Sequence, residues 1–304
     1  MDLYLPIAGV SVNAITIAMF SMAVGFISGL LGIGGGFLMT PLLVFSGIPP
    51  TVAAATATCH IMSAASTGVV NAGRRSLDGK MASVLAFGGL IGVVIGVEAI
   101  KWLSGFGLAD IIVTLTYVLF LSTIGITMTW ESAGALRRMH QGLPPKVLPK
   151  RTWAHHIPGR MRFRTSRLYI SPLPPAGLGF LTGILAALMG VGGGFILAPA
   201  MIYMLRMPGR VITATSQLQI MLIAGITAMM HAGRNQTLDL LLAVILMVGG
   251  AIGAQIGARF AIRARAEVLR FALAAIVLLA AARLTWGMAL PPEDAFSLVL
   301  GVGE

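Results

Sequence analysis

From Leu3 to Gly73 the chain carries no Asp, Glu, Lys or Arg. A run of this length cannot lie on a surface facing water. A soluble domain carries roughly 25% charged residues, whereas only 10% of these 304 residues are charged and 57% are hydrophobic, with a mean hydropathy of +0.92. The chain therefore reads as an all-α polytopic membrane protein whose main partner is the lipid bilayer. In hydrocarbon every backbone N–H and C=O must be paired within the protein, which favours helices. A span takes about 20 apolar residues. Eight such segments are expected, at about 12–46, 52–72, 82–100, 109–130, 175–205, 211–232, 238–258 and 268–289.

Two of these segments are too long. At 1.5 Å rise per residue, 30–35 residues would reach about 45–50 Å, against a hydrocarbon core of about 30 Å. Each contains a glycine cluster, Gly32-Ile33-Gly34-Gly35-Gly36-Phe37 and Gly190-Val191-Gly192-Gly193-Gly194-Phe195. Glycine costs a helix about 1 kcal/mol relative to alanine. Each long segment is therefore expected to be a helix broken at the glycines, or two pieces that dip in and turn back.

The clusters lie 158 residues apart, and Pro41/Pro199 and Pro50/Pro208 keep that offset. Ala57-Thr58-Cys59 then matches Ala214-Thr215-Ser216, and Ala72-Gly73-Arg74 matches Ala232-Gly233-Arg234. Such ordered matches point to an internal duplication, common in secondary transporters. The expected organisation is a first repeat over 1–130, a basic linker over 131–174 and a second repeat over 175–304. The linker reads as a plain loop, with a short interfacial helix as the alternative. Four spans per half would make the repeats parallel, and an extra crossing would make them inverted.

A GxGGGF motif followed four residues later by proline, then by a Thr-Ser-like pair, all occurring twice, resembles the sulfite exporter TauE/SafE family of anion transporters, also called the TSUP family. The second copy, GFLTGILAALMGVGGGFILAPAMIYMLRMP followed by TATSQLQI, is the closer match. The resemblance implies a secondary transporter, an exporter of sulfite, sulfonates or other small anions. In the first half Cys59-His60 stands where the family pattern has Ser and an apolar residue.

The residues suggest a chemistry of their own. A glycine-rich break leaves backbone N–H groups free and lets a ligand approach without a Cβ in the way. A half-helix starting after it adds the positive end of its dipole. Gly34, Gly35, Gly36, Gly192, Gly193 and Gly194 are therefore candidates for binding a small anion; the plain alternative is close helix packing. Thr58, Cys59, Thr215, Ser216 and Gln217 add uncharged polar groups, with Thr56, Thr213 and Gln219 beside them. Their alternative is bonding between helices or back to the preceding turn. His60, deep in an uncharged run, is the candidate for proton coupling. Asn71, His231 and Glu98 with Lys101 read as span-end residues, and Arg74 and Arg234 as markers of one membrane border.

No Walker motif or HExxH is present, so neither ATP-driven transport nor zinc hydrolysis is expected, and neither is any enzyme activity, cofactor or metal. His155-His156 alone is a poor metal site. One cysteine allows no internal disulfide. The N-terminus lacks a basic segment, so no cleaved signal is expected. Basic residues concentrate in the linker rather than on a nucleic-acid face. The expected role is a carrier in the bacterial inner membrane, with a homodimer allowed. Its rivals are a carrier of another small solute, or a membrane-embedded assembly subunit with no pathway.

Nine of the 21 Lys and Arg lie between Arg137 and Arg167, which puts the linker in the cytoplasm by the positive-inside rule. The cluster from Arg259 to Arg270 conflicts with this if the repeats are parallel. In a Cys59→Ser background, Gln141→Cys should resist a membrane-impermeant thiol reagent in intact cells and react in inverted vesicles. Labelling in intact cells would reverse the orientation.

Overall fold

The computed structural model describes residues 2–32, 36–73, 76–141, 161–163, 165–166, 168–205, 207–261 and 266–289. Ten α-helices occur among them. The first half holds α1 (Ala14–Leu31), a 3-10 turn (Gly36–Leu38), α2 (Met39–Phe45), α3 (Pro50–Ala72), α4 (Gly79–Gly105) and α5 (Ala109–His140). The second holds α6 (Leu173–Met189), α7 (Gly194–Tyr203), α8 (Gly209–Met230), a π turn (His231–Asn235), α9 (Leu240–Ala261) and α10 (Ala266–Ala289).

The local signals are visible in the chain. Asn13 caps α1, accepting from the N–H groups of Ile15 and Thr16. Pro50 opens α3, where its missing N–H costs nothing. Asp78 and Asp239 cap α4 and α9 through their side chains.

Several expectations change. The fold is not wholly α: β1 (Asp2–Leu5) pairs with β2 (Val10–Asn13), and β3 (Met161–Phe163) with β4 (Leu168–Ile170), both antiparallel. The second hairpin occupies the end of the supposed plain loop. Helix α5 runs on to His140, so the linker starts later than residue 131; His155 and His156 lie outside the described residues. Of the eight unequal segments expected, five stretches among the described residues are long and apolar enough to cross a membrane: 14–31, 79–105, 109–130, 211–235 and 240–261. Three further apolar helices are shorter. Helix α3 is not among the five because it is rich in Ala, Ser and Thr. Most of it is buried inside the bundle, where small and polar side chains meet other helices rather than lipid.

Contacts set the helix directions. Helix α1 runs parallel to α9, with Gly25 on Gly250 and Gly29 on Ala254. Helix α6 runs parallel to α4, with Gly179 on Leu85 and Gly183 on Gly89. Helix α3 is parallel to α9, through Thr56 with Asp239 and Ser63 with Met247. Helix α4 is parallel to α8, through Asp78 with Thr215 and Gly89 with Ile223. Helices α3 and α8 run opposite ways, because Gly68 meets Gln217 while Met62 meets Gly225. Thus α1, α3 and α9 point to one face, and α4, α6 and α8 start from it. This is the linker face.

Arg234 pairs with Glu98 at 3.3 Å, near the end of α4, so it lies on the opposite face from the start of α4. That corrects two readings: Arg234 lies on the face opposite the end of α3, with Arg74 itself outside the described residues, and Glu98 pairs with Arg234 rather than Lys101. The Arg283 guanidinium sits 5.8 Å over the Phe45 ring.

The bundle is tightened by glycine. A Cβ added at Gly25 would lie 2.6 Å from the carbonyl oxygen of Gly250, so the two backbones touch. Gly253 and Gly257 on α9, and Gly88, Gly92 and Gly183 across α4 and α6, also abut backbone. Close approach replaces the missing hydrophobic drive between helices in lipid. Gly183→Val should therefore lower the thermal stability of the detergent-solubilised protein, by about 1–3 kcal/mol as overpacking does. Gly177→Val, where nothing lies within 4 Å, should leave it near wild type.

Candidate functional site

Both long segments are divided. Helix α1 stops at Leu31 and Gly32 takes the left-handed conformation, φ 64°. Helix α6 stops at Met189; Gly190, Gly192 and Gly193 all have positive φ before α7 starts at Gly194. Gly32 lies against Thr213 near the start of α8, and Gly190 against Ala54 near the start of α3, so these glycines sit towards opposite faces. The chain then turns back inward. Gly36 lies on Ile61, and Gly192 lies on both Ile61 and Ile220. These isoleucines are midway along α3 and α8. The structure thus brings Gly36 and Gly192 together at mid-height, and from there α2 and α7 run outward to opposite faces. Gly194 is the buried first residue of α7. Gly34 and Gly35 lie outside the described residues.

A helix ending inside protein needs its last carbonyls paired. The carbonyl of Ala186 accepts from Gly190 N–H at 2.8 Å. That of Met189 accepts from the hydroxyls of Tyr117 and Thr40. That of Ala187 lies 3.0 Å from His231 Nε2, whose Nδ1 meets Asn235. His231 is therefore a buried cap on the broken helix, and the proton on Nε2 follows from its acceptor.

The other predicted residues divide. The Thr58 hydroxyl donates to Ala55 O at 2.6 Å and that of Ser216 to Thr213 O at 3.1 Å; both bond back within their own helix. Cys59 packs with Ala228 and Ala243. Thr215 and Thr56 accept the backbone N–H groups of Asp78 and Asp239. His60 is fully buried, its Nδ1 3.0 Å from Ser21 Oγ and 3.2 Å from Leu246 O, and its Nε2 has no partner among the described residues. Gln219 donates to the Thr182 hydroxyl at 3.3 Å, leaving its own carbonyl oxygen unpaired. Gln217 and Gln219, two apart on a continuous helix, face different neighbours.

Sequence reasoning missed Asp78 and Asp239. Each is buried and joins three elements. Asp78 caps α4, is tied to α8 by Thr215, and takes the N–H and hydroxyl of Ser166 beside the β3–β4 hairpin. Asp239 caps α9, is tied to α3 by Thr56, and takes the N–H of Ile7 in the β1–β2 hairpin. The shared Leu-Asp, at 77–78 and 238–239, was the available signal.

A cavity of about 180 Å³ lies between α1, α3, α8 and α9. Gly32 and Gln217 line it, with Ser28, Asn71 and Thr213 supplying other polar groups. Gln217 is 2% exposed and its Oε1 has no partner among the described residues. No three His, Cys, Asp or Glu gather to hold a metal among the described residues.

Gly29 looks in the sequence like a harmless control for alanine scanning of the glycines. It is not, because it packs on Ala254 O. Gly209, with nothing within 4 Å, is the sound control. At Gly193 (φ 67°) an added Cβ would lie 2.5 Å from Thr182 Cβ, and left-handed backbone costs a residue with Cβ about 1–2 kcal/mol. Gly193→Ala should reduce solute flux in proteoliposomes at least tenfold at equal protein content. Gly209→Ala should keep it within twofold.

The sulfite exporter TauE/SafE profile matches residues 17–284. A probable membrane transporter protein of Xylella fastidiosa (strain Temecula1) is 28% identical over 247 residues, covering 80% of this chain and 83% of that protein. The probable membrane transporter protein YjnA of Bacillus subtilis (strain 168) is 26% identical over 272 residues, 89% and 99% of the two chains. The sulfite exporter TauE/SafE family protein 5 of Arabidopsis thaliana is 36% identical over 121 residues, 38% of this chain and 26% of the plant protein. No solved structure matches. With its profile matched over most of the chain and several apolar helices in one bundle, this multi-pass membrane protein belongs to the TauE/SafE family of membrane transporters.

Proposed function

We propose that the chain is a secondary transporter of small sulfur-containing or organic anions, sulfite and sulfonates among them, and that it works in the bacterial inner membrane with the linker face towards the cytoplasm. The observation that carries this reading is the meeting of Gly36 and Gly192 on Ile61, midway along α3. Helix α7 begins beside this point, and its first N–H groups have no intrahelical partner. The positive end of its dipole favours an anion without a buried cation. The full names of the relatives support transport, and the plant relative's name supports sulfite.

We read the halves as inverted repeats, which alternating access can use. Each half opens with a β-hairpin, breaks its first long segment at glycine, and sends a Thr of its α3 or α8 to the capping Asp of the other half. By contact, Thr56 corresponds to Thr215 and Ala54 to Thr213, an offset two larger than direct sequence matching suggests. His60 then corresponds to Gln219, and each bonds a hydroxyl on the first helix of its own half, Ser21 or Thr182.

Inverted repeats also remove the charge conflict. By position in the sequence, 18 of the 21 Lys and Arg fall between helix ends of the linker face, the Arg259–Arg270 cluster included; Lys101, Arg234 and Arg283 are the remainder. This bias favours the cytoplasm for that face.

His60, unpaired at Nε2 between α1, α3 and α9, is our candidate for proton coupling. Proteoliposomes loaded with radiolabelled sulfite or sulfoacetate should show saturable counterflow, faster under a pH gradient. His60→Gln should keep counterflow and lose the gradient effect. Flux no greater than in protein-free liposomes for both anions would end the anion-carrier reading, and an intact gradient effect would leave His60 a packing residue.

A further inference from the structure

The cavity beside Gly32 has a depth and a mouth. Its inner wall is Ser28, Ala64, Gln217 and Ala254, all buried. Moving towards the linker face along α3 and α8, exposure rises to Asn71 and Thr213, both exposed. The place related to it by the inverted arrangement, on the opposite face, is filled. There Val93, Val97, Ala186, Ala187 and Ile223 pack as one buried cluster, and His231 closes on Ala187 O at 3.0 Å. Larger side chains account for the difference. Where the cavity has Ala64, Ala254 and Ala258, the corresponding positions carry Ile223, Val93 and Val97. Among the described residues the two ends of the bundle are therefore unlike, one hollow beside Gln217 and the other packed at the corresponding place.

The lining chemistry selects among solutes. Among the described residues no charged side chain lines the cavity, and the polar side chains there are two hydroxyls and two amides, from Ser28, Thr213, Asn71 and Gln217. No carboxylate lines it to offset the charge of a cation. A cavity of about 180 Å³ is smaller than the roughly 300–1,000 Å³ that take a drug-sized ligand, yet larger than a single-water site. The Gln217 amide is buried with its oxygen unpaired, which is costly unless something in the cavity meets it. With its oxygen unheld, the amide can turn its NH2 inward. A Cβ at Gly68 would lie 2.8 Å from Gln217 Cδ, so Gly68 gives this side chain its room.

We propose that this cavity is an access vestibule, open to the linker face and shut from the other, in which a small monoanion is held by the uncharged Gln217 amide. It rests on the anion-carrier reading for the charge of its occupant, but not for its access. The basic linker face raises the local concentration of anions, while the absence of a buried cation keeps the hold weak enough for release. Gln217 sets recognition, and Gly68 and the alanines set the size limit.

Two measurements test it. In a Cys59→Ser background, Ala64→Cys should react with an impermeant anionic thiol reagent from the linker face only, in inverted vesicles if that face is cytoplasmic. Ile223→Cys should react from neither side, and Ala258→Cys serves as a second vestibule position if Ala64→Cys is unstable. Separately, titration of sulfite and methanesulfonate into the full-length protein should show binding weakened about tenfold or more in Gln217→Leu, the loss of one charge-assisted hydrogen bond, and also in Gly68→Ala. Gly225→Ala, where the new methyl meets the flexible Met62 thioether, should bind like wild type. Reaction of both vestibule cysteines from the far face, or from neither, would overturn the access assignment. Wild-type affinity in Gln217→Leu would overturn its role in recognition. If the wild-type protein neither binds nor transports these anions, the anion-carrier reading and the anion occupant fall together, while labelling still decides the vestibule.

Discussion

Hydrocarbon offers the backbone no hydrogen-bond partner, and the rest of this structure follows from that constraint. A broken helix is tolerable in lipid only where other parts of the protein take up the freed groups. Here the end of α6 is closed by Tyr117 and Thr40 on Met189 O and by His231 near Ala187 O. These residues come from α5, α2 and the turn after α8. The glycine break therefore requires the whole bundle to be assembled around it, and a polar cluster that looks functional in isolation is partly the support for a helix end.

Glycine does two different jobs in this chain. In α1 with α9, and in α4 with α6, it lets backbones touch, which stabilises packing where no hydrophobic effect separates protein from lipid. In the two GxGGGF clusters it supplies positive φ and an inward turn, as at Gly190, Gly192 and Gly193. Composition cannot separate the roles; Gly29 and Gly193 read alike until their neighbours are known. The same holds for serine and threonine. Thr58 and Ser216 satisfy carbonyls one turn back, whereas Thr56 and Thr215 bridge to Asp239 and Asp78.

The two buried aspartates organise the ends of the bundle. Each has its carboxylate fully engaged with backbone N–H groups or a hydroxyl, the arrangement in which a buried carboxylate is stable. Each ties a hairpin and two helices together, one set at each face. The hollow above Gln217 lies near the Asp78 set and the filled cluster near the Asp239 set. The chemical likeness of the two ends and their difference in packing are both needed for a bundle with one open side.

The sequence by itself determined the class, the helix starts, and the glycine interruptions. Charge-free length, proline and clustered glycine act locally, so they are legible without partners, whereas the caps at Asp78 and Asp239 emerged only from the structure. It also carried the family, through motifs that depend on few residues. It did not determine the hairpins, because strands of three or four residues are too short to show a periodic signal, nor the direction of one half against the other. Directions, and hence the faces of Arg234 and of the Arg259–Arg270 cluster, came from which helices touch. The division of the polar residues among caps, bridges and cavity lining was likewise tertiary. A hydroxyl or amide is the same group in each role, and only its neighbours in space decide which hydrogen bond it makes.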